Sequence, residues 1–256
     1  MSGLQDLHVH SCFCDGKDTP EEMVLSAIGK GLSRLGICAH SYVPFDSGYC
    51  LPPEKYEAFR GEIRRLKEKY QDRIELLCGI EQDLYSPTGT EGFDYVIGSV
   101  HYLKAGESYV PVDSSPQLLR DGCEKYFRGD CLALARQYYE ELSDVVRVTG
   151  CDIIAHFDLL TKFNETGAFF DESAPAYLHA ARMAADRLLP ARKLFEINTG
   201  AISRGYRSAP YPAQPILDYL RENGGRMILS SDAHSRENIA FLFEEFSPLS
   251  EGAATK

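Results

Sequence analysis

A distorted (β/α)7 barrel, with parallel strands in a single α/β domain, is the fold that this 256-residue chain predicts. Three observations point to it. Seven short runs are nearly continuous in apolar or β-branched residues, the pattern of parallel strands buried on both faces. Helical segments separate most of these runs, and such alternation implies right-handed crossovers and a parallel sheet. One interval, residues 82–94 with Pro87, Gly89 and Gly92, is too irregular for a full helix, so the barrel is expected to be distorted there.

The first strand is expected over Leu4–His8 and runs into His8-Val9-His10. Thr19-Pro20-Glu21-Glu22 reads as a capping box with proline at the first helical position, and Gly31 follows as a stop. After the second strand, Leu35–Ala39, a helix is expected from Pro53 to Tyr70, where Tyr56, Phe59, Ile63, Leu66 and Tyr70 share one face. Strands Ile74–Ile80 and Tyr95–Val100 come next. The stretch before the fifth strand, Asp152–Ala155, is the largest insertion. It reads as helical over Gln117–Thr149 and is expected to reach over the functional site. A helix over Ser173–Leu189 precedes strand Leu194–Ile197, and one over Gln214–Asn223 precedes strand Met227–Ser230. Ser235 is expected to cap a last helix through Phe246. Residues 1–246 then form the domain, and 247–256 a tail expected to fray. An open doubly wound sheet is the competing architecture, but both folds place function at the carboxyl ends of the strands.

The net charge of −11 argues against a long nucleic acid as partner, because a phosphate-tracking surface needs clustered Lys and Arg. Carboxylates that bind cations would account for part of that charge. No apolar run is long enough to cross a bilayer and the N-terminus lacks a leader pattern, so a cytoplasmic protein without a membrane partner is expected. The eight cysteines are scattered. Cys38, Cys78 and Cys151 fall in or beside apolar strands as small hydrophobes, which suits a reducing compartment. Cys12-x-Cys14 lacks a second pair and reads as a loop feature.

Six of the seven histidines lie at or just past a strand end: His8, His10, His40, His101, His156 and His234. Glu81 and Asp232 hold equivalent positions, and Asp15 follows in the loop after the first strand. His179, mid-helix with no acid nearby, stands apart. Alternate side chains of a strand share a face, so His8 and His10 can both turn inward. One zinc takes three or four protein ligands. Nine donors therefore suffice for three divalent ions if one carboxylate bridges, and mixed N/O donors suit Zn, Mn or Fe. Asp15, Glu81, Asp232 and His234 double as candidate catalytic residues.

The pattern Asp6-Leu7-His8-Val9-His10-Ser11, Ala39-His40-Ser41, Gly79-Ile80-Glu81, Gly98-Ser99-Val100-His101, His156 and Ser231-Asp232-Ala233-His234 resembles the PHP (polymerase and histidinol phosphatase) family, from the first strand to the last. The resemblance implies a distorted seven-stranded barrel with a trinuclear centre. It places His8, His10, Glu81 and Asp232 on one ion, and a bridging Glu81 with His101 and His156 on the second. Asp15, His40 and His234 hold the third, although some members carry histidine where this chain has Asp15. Within the family, the chain length, the insertion after Ser99-Val100-His101-Tyr102 and the segment Phe195-Glu196-Ile197-Asn198-Thr199-Gly200 leading to Arg204 are most similar to stand-alone histidinol-phosphate phosphatases. That implies a metal-dependent phosphomonoesterase of histidine biosynthesis, releasing L-histidinol and phosphate from a small ester, as a monomer or small homo-oligomer.

Phosphoryl transfer asks the protein mainly for positioning and charge neutralisation. A guanidinium fork matches phosphate oxygens, so Arg204 is the expected clamp, with Arg207 and Lys162 as further candidates. Asp158 and Asp113 are candidates for meeting the amine and imidazole of such a substrate, or for protonating its leaving group. Three other readings remain open at this point. One is a PHP phosphoesterase acting on nucleotides. Another is an amidohydrolase-type enzyme, which would need a bridging modified lysine where Glu81 stands. The last is a non-catalytic metal-binding protein.

Overall fold

The computed structural model describes residues 3–250. In chain order the elements are β1 (Gln5–Val9), α1 (Pro20–Gly29), β2 (Arg34–Ile37), α2 (Tyr56–Tyr70), β3 (Glu75–Asp83), β4 (Tyr95–Ser99), β5 (Tyr102–Ala105) and β6 (Ser108–Pro111). There follow α3 (Pro116–Phe127), α4 (Cys131–Leu142), α5 (Val145–Thr149), β7 (Ile153–Ile154), α6 (Pro175–Leu188), β8 (Leu194–Asn198), α7 (Gly200–Ser203), α8 (Gln214–Glu222), β9 (Arg226–Ser230) and α9 (Phe243–Ser250). Seven of the strands form one parallel sheet in the order β1-β2-β3-β4-β7-β8-β9. The sheet curls until its edges meet. His10 N donates to Ala233 O at 2.8 Å, and Val9 bridges to Ala233. The expected barrel is what forms, and its closing seam lies beside His8, His10, Asp232 and His234.

A buried carboxylate reinforces the seam. Asp6 accepts from the Ser231 backbone and hydroxyl and from Ala240 N, replacing ladder bonds that the short β1–β9 contact does not make. The β1–β2 register slips between Asp6 and Val9, which lets Asp6 face the seam while Leu7 enters the interior.

Two cores follow from strand alternation. A small one fills the barrel itself: Leu7, Cys38, Tyr95, Ile97, Ile153, Ala155 and Ile228. Residues at the opposite parity, such as Ile37, Ile80, Phe195 and Leu229, join the larger core between sheet and helices. The α2 face is as the periodicity predicts, with Tyr56, Phe59, Ile63, Leu66 and Tyr70 buried. Tyr95 is the bulkiest group inside the barrel, and its hydroxyl donates to Leu7 O at 2.6 Å. Gly36 and Gly79 lie flat against its ring, where a Cβ would collide with it.

Three expectations are corrected. The insertion opens with an unexpected antiparallel hairpin, β5–β6, and the helical stretch expected over Gln117–Thr149 is divided among three helices. The chain breaks at Arg128 and Gly129, both at positive φ, and again at Ser143–Asp144. The helix expected from Ser235 through Phe246 is interrupted: one 3-10 turn, Arg236–Asn238, follows Ser235, Ala240 and Leu242 then take positive φ, and α9 starts at Phe243. Lys30 Nζ donates to Glu237 O and Ile239 O at 2.6 Å, and Ala240 N donates to Asp6, so these groups are tied outside any helix that would continue from the 3-10 turn. Of the tail expected to fray, Ser247–Ser250 belong to α9, and 251–256 lie outside the described residues. Among the described residues no helix is long and apolar enough to cross a membrane.

Candidate metal centre

Each inward row of the sheet changes character along its length. Gly36-Cys38-His40, Gly79-Glu81, Tyr95-Ile97-Ser99-His101 and Ile228-Ser230-Asp232 run from small or apolar residues to a polar donor. Parallel strands bring those ends together, and nine predicted donors meet at one mouth of the barrel. His8, His10 and Glu81 are fully or almost fully buried, and Asp15 and His234 lie nearest solvent. His179 is exposed on α6, remote from them.

Glu81 is the hub. Its Oε2 lies 3.2 Å from His8 Nε2, 3.3 Å from His10 Nε2 and 2.8 Å from His40 Nδ1. Its Oε1 lies 3.3 Å from His101 Nε2 and 3.1 Å from His156 Nε2. Asp232 Oδ1 is 3.7 Å from His8 Nε2 and 3.6 Å from His10 Nε2, and those two nitrogens are 3.1 Å apart. Such spacings match the roughly 3.3 Å between neighbouring ligands of a tetrahedral ion with bonds near 2.0–2.1 Å. Asp15 lies 3.5 Å from His40 Nε2 and 3.2 Å from His234 Nε2. Donors able to share an ion form three groups among the described residues: His10–Asp15–His40–His234, His8–His10–Cys38 and His40–Glu81–His101. His10 and His40 each belong to two groups, so this is one continuous cage. Asp232 enters it from a left-handed backbone, φ 50°, which aspartate tolerates better than most residues.

The charge distribution calls for a cation. Burial disfavours a proton on His8, yet Glu196, Glu81 and Asp232 outweigh it and hold its pKa well above the ordinary 6.5. His101 is likewise well above, and His40 is raised, against the same burial. His10 is the exception, driven to about 3 by burial and by His40 and His234. Burial would raise Glu81 and Asp232, but neighbouring imidazoles, and Arg204 for Asp232, hold both well below the carboxylate range. Asp15 is lowered in the same way. Four carboxylates, Glu196 included, thus draw positive charge into a dry site. Glu81 Oε2 and His40 Nδ1 are close, yet neither makes a hydrogen bond, and His156 Nδ1 is also buried without one. Orphaned atoms of this kind cost about 1–3 kcal/mol each. Ring nitrogens and carboxylate oxygens that converge without aligned hydrogen bonds between them fit metal ligation.

A cleft of ≈ 500 Å³ opens over the cage, a size suited to a small ligand. Arg204 and Lys162 line it, as does Asp113. Arg204 Nη2 lies 2.9 Å from Asp232 Oδ2 and its Nη1 donates to Asp232 O at 2.9 Å, leaving Nε buried without a partner. Lys162 Nζ reaches Asp113 Oδ2 at 3.2 Å and passes over the Tyr206 ring. Arg207 and Asp158 are not brought to the cleft. Arg207 is engaged by Glu172 through two bonds of 2.7 and 2.8 Å. Asp158 lies behind the wall, accepting from Ala213 N at 2.8 Å, and burial pushes its carboxyl up to about 7.

Two carboxylates beyond the nine complete the arrangement. Glu196 takes His8 Nδ1 at 2.7 Å and accepts from His156 N at 3.0 Å. Asp83 takes His101 Nδ1 at 3.2 Å and accepts from its backbone at 3.1 Å. Each fixes a ring so that Nε2 points into the cage, the usual partnership of a metal-binding histidine. Strand parity could have found both, since Asp83 follows Glu81 by two residues and Glu196 sits on the inward row of β8.

Comparison with known proteins agrees with this architecture. The PHP domain model matches residues 6–200. A Deinococcus radiodurans protein named "Probable histidinol-phosphatase" is 30% identical over 259 residues, spanning 96% of this chain and 92% of that protein. A candidate histidinol phosphatase of Listeria monocytogenes superposes with a TM-score of 0.84 at 18% identity, covering 95% of this chain and 100% of its own. Histidinol phosphate phosphatase from Lactococcus lactis subsp. lactis, solved with Zn, L-histidinol and phosphate, gives 0.70 at 21% identity, covering 100% and 95%. These two structures share the fold.

Proposed function

The chain belongs to the PHP domain family, and from that premise we propose that it is a histidinol-phosphatase, a metal-dependent phosphomonoesterase converting L-histidinol phosphate to L-histidinol and phosphate in histidine biosynthesis. The observation that carries this reading is the placement of Glu81. One of its oxygens faces His8, His10 and His40, and the other faces His101 and His156. A carboxylate so placed is built to bridge two cations.

In this reading His8, His10, Glu81 and Asp232 hold one ion, Glu81, His101 and His156 a second, and Asp15, His40 and His234 a third. The donor set suits Zn, Mn or Fe. Bound there, such ions activate water for attack and stabilise the entering and leaving oxygens of an in-line displacement. Arg204 lines the cleft, engaged by Asp232 and His234, and supplies the positive charge that would meet the phosphate. Lys162, paired with Asp113, adds positive charge to the lining of the cleft. Asp113 is held ionised: burial would raise its pKa, but Lys162 and His101 lower it. It therefore serves better as the acceptor for a substrate amine or imidazolium than as a proton donor to the leaving alcohol. The phosphoesterase domain is taken as residues 1–246, acting in the cytoplasm as a monomer or small homo-oligomer.

Phosphate release from a panel of histidinol phosphate and nucleoside monophosphates, with metal analysis of the same preparation, tests the proposal. Histidinol phosphate should be preferred, and activity should vanish on chelation and in Glu81→Gln. Full turnover by the stripped protein, or preference for a nucleotide, would reject it.

A further inference from the structure

The insertion holds a pair of cysteines that the metal centre does not use. Cys123 lies in the last turn of α3 and Cys131 is the first residue of α4, with Arg128 and Gly129 turning the chain between them. Their Sγ atoms face each other 2.6 Å apart. Both are free thiols. Cys123 is buried, and Cys131 is partly open to solvent. The two helices also carry the two strands of the hairpin beside the cleft. Gly122 of α3 packs directly on Val110 of β6. On α4, Gln137 Nε2 donates to Lys104 O of β5 at 2.7 Å, and Glu141 accepts from Lys104 N at 3.2 Å. Tyr102 at the start of β5 and Asp113 just after β6 both line the cleft.

We propose that Cys123 and Cys131 form a reversible disulfide that staples α3 to α4, behind the β5–β6 hairpin, when the surroundings turn oxidising. The oxidant is a low-molecular-weight disulfide of the glutathione class. Cys131, the accessible sulfur, attacks it as the thiolate. A mixed disulfide forms and one glutathione leaves as its thiolate, taking up the proton that Cys131 lost. Cys123 then attacks the Cys131 sulfur, its proton passing to the second departing glutathione. Two protein thiols are thereby oxidised by two electrons, and one glutathione disulfide is reduced to two thiols. Burial pushes the Cys123 thiol up to about 12, which makes the second step the slower one and Cys131 the point of entry. Dithiols reverse the sequence.

The test incubates metal-loaded protein with excess oxidised glutathione, blocks free thiols with iodoacetamide and maps tryptic peptides. Lys125 and Arg128 lie between the two cysteines, so trypsin separates them unless a disulfide holds them together. The expected product has lost two hydrogens in intact mass, contains a peptide pair joining Cys123 to Cys131, and reverts with dithiothreitol. Cys123→Ser and Cys131→Ser should each abolish that peptide pair, whereas Cys12→Ser keeps it. Both thiols still free, linkage to other cysteines, or stable glutathione adducts on either residue would overturn the assignment.

Discussion

His8 and Glu196 form a fully buried pair, with Nδ1 and Oε1 2.7 Å apart, and that contact decides which ring nitrogen of His8 enters the cage. Glu196→Gln keeps the shape and removes the charge. It should weaken metal affinity roughly 10–100-fold. Activity should fall at limiting metal and recover when metal is added in excess. Unchanged affinity in a metal titration would show that Glu196 does not tune the ligand.

Stability of the metal-free protein should depend on pH with a definite sign. His8, His40 and His101 bind protons more tightly folded than unfolded, so their contribution is complete below pH 6.5 and is lost as pH rises through their folded values. Glu81, Asp232, Asp15 and Glu196 are depressed, so theirs is complete above about 4.5 and is lost as pH falls. His10, near 3, opposes its fellow histidines below 6.5. The chelated protein should therefore lose Tm above neutrality. Bound metal requires neutral imidazoles, so the Tm gap between loaded and stripped protein should widen from pH 6 to 8. A constant gap in differential scanning fluorimetry would contradict the assignment.

Arg204→Ala should raise KM for phosphomonoesters roughly 10–100-fold, the effect of removing a charged clamp. Because Arg204 also steadies Asp232, some metal loss should accompany it, and Arg204→Lys should restore metal content before KM. A KM unchanged at full metal loading would take Arg204 out of phosphate recognition.

Gly79→Ala should lose roughly 1–3 kcal/mol of stability, because the added methyl meets the Tyr95 ring inside a packed barrel. Combining it with Tyr95→Leu should return part of that loss. Strictly additive losses in urea unfolding would mean that the methyl meets something else.

The barrel and its donors are legible in the sequence for the same reason. Strands buried on both faces produce continuous apolar runs, and their carboxyl ends are where His40, Glu81, His101 and Asp232 stand out against them. Glu196 and Asp83 are harder to find, since their meaning depends on a partner in another strand. Arg207 carries no mark of its engagement with Glu172, 35 positions away. Its neighbour Arg204 carries no mark that distinguishes it, and only tertiary packing assigns one to the cleft and the other to the wall. The start of α9 is similarly hidden. Ser235 does precede a 3-10 turn, but Lys30 and Asp6, distant in sequence, hold the backbone after that turn out of a continuing helix.

Tyr95 makes the barrel a blind well. With its ring pressed on Gly36 and Gly79, and Ile97, Ile153 and Ile228 around it, nothing can pass beneath the cage. Under the proposed activity, ester, alcohol and phosphate would share a single doorway. For the proposed phosphatase, inorganic phosphate is then expected to compete with the incoming ester at the floor of that well.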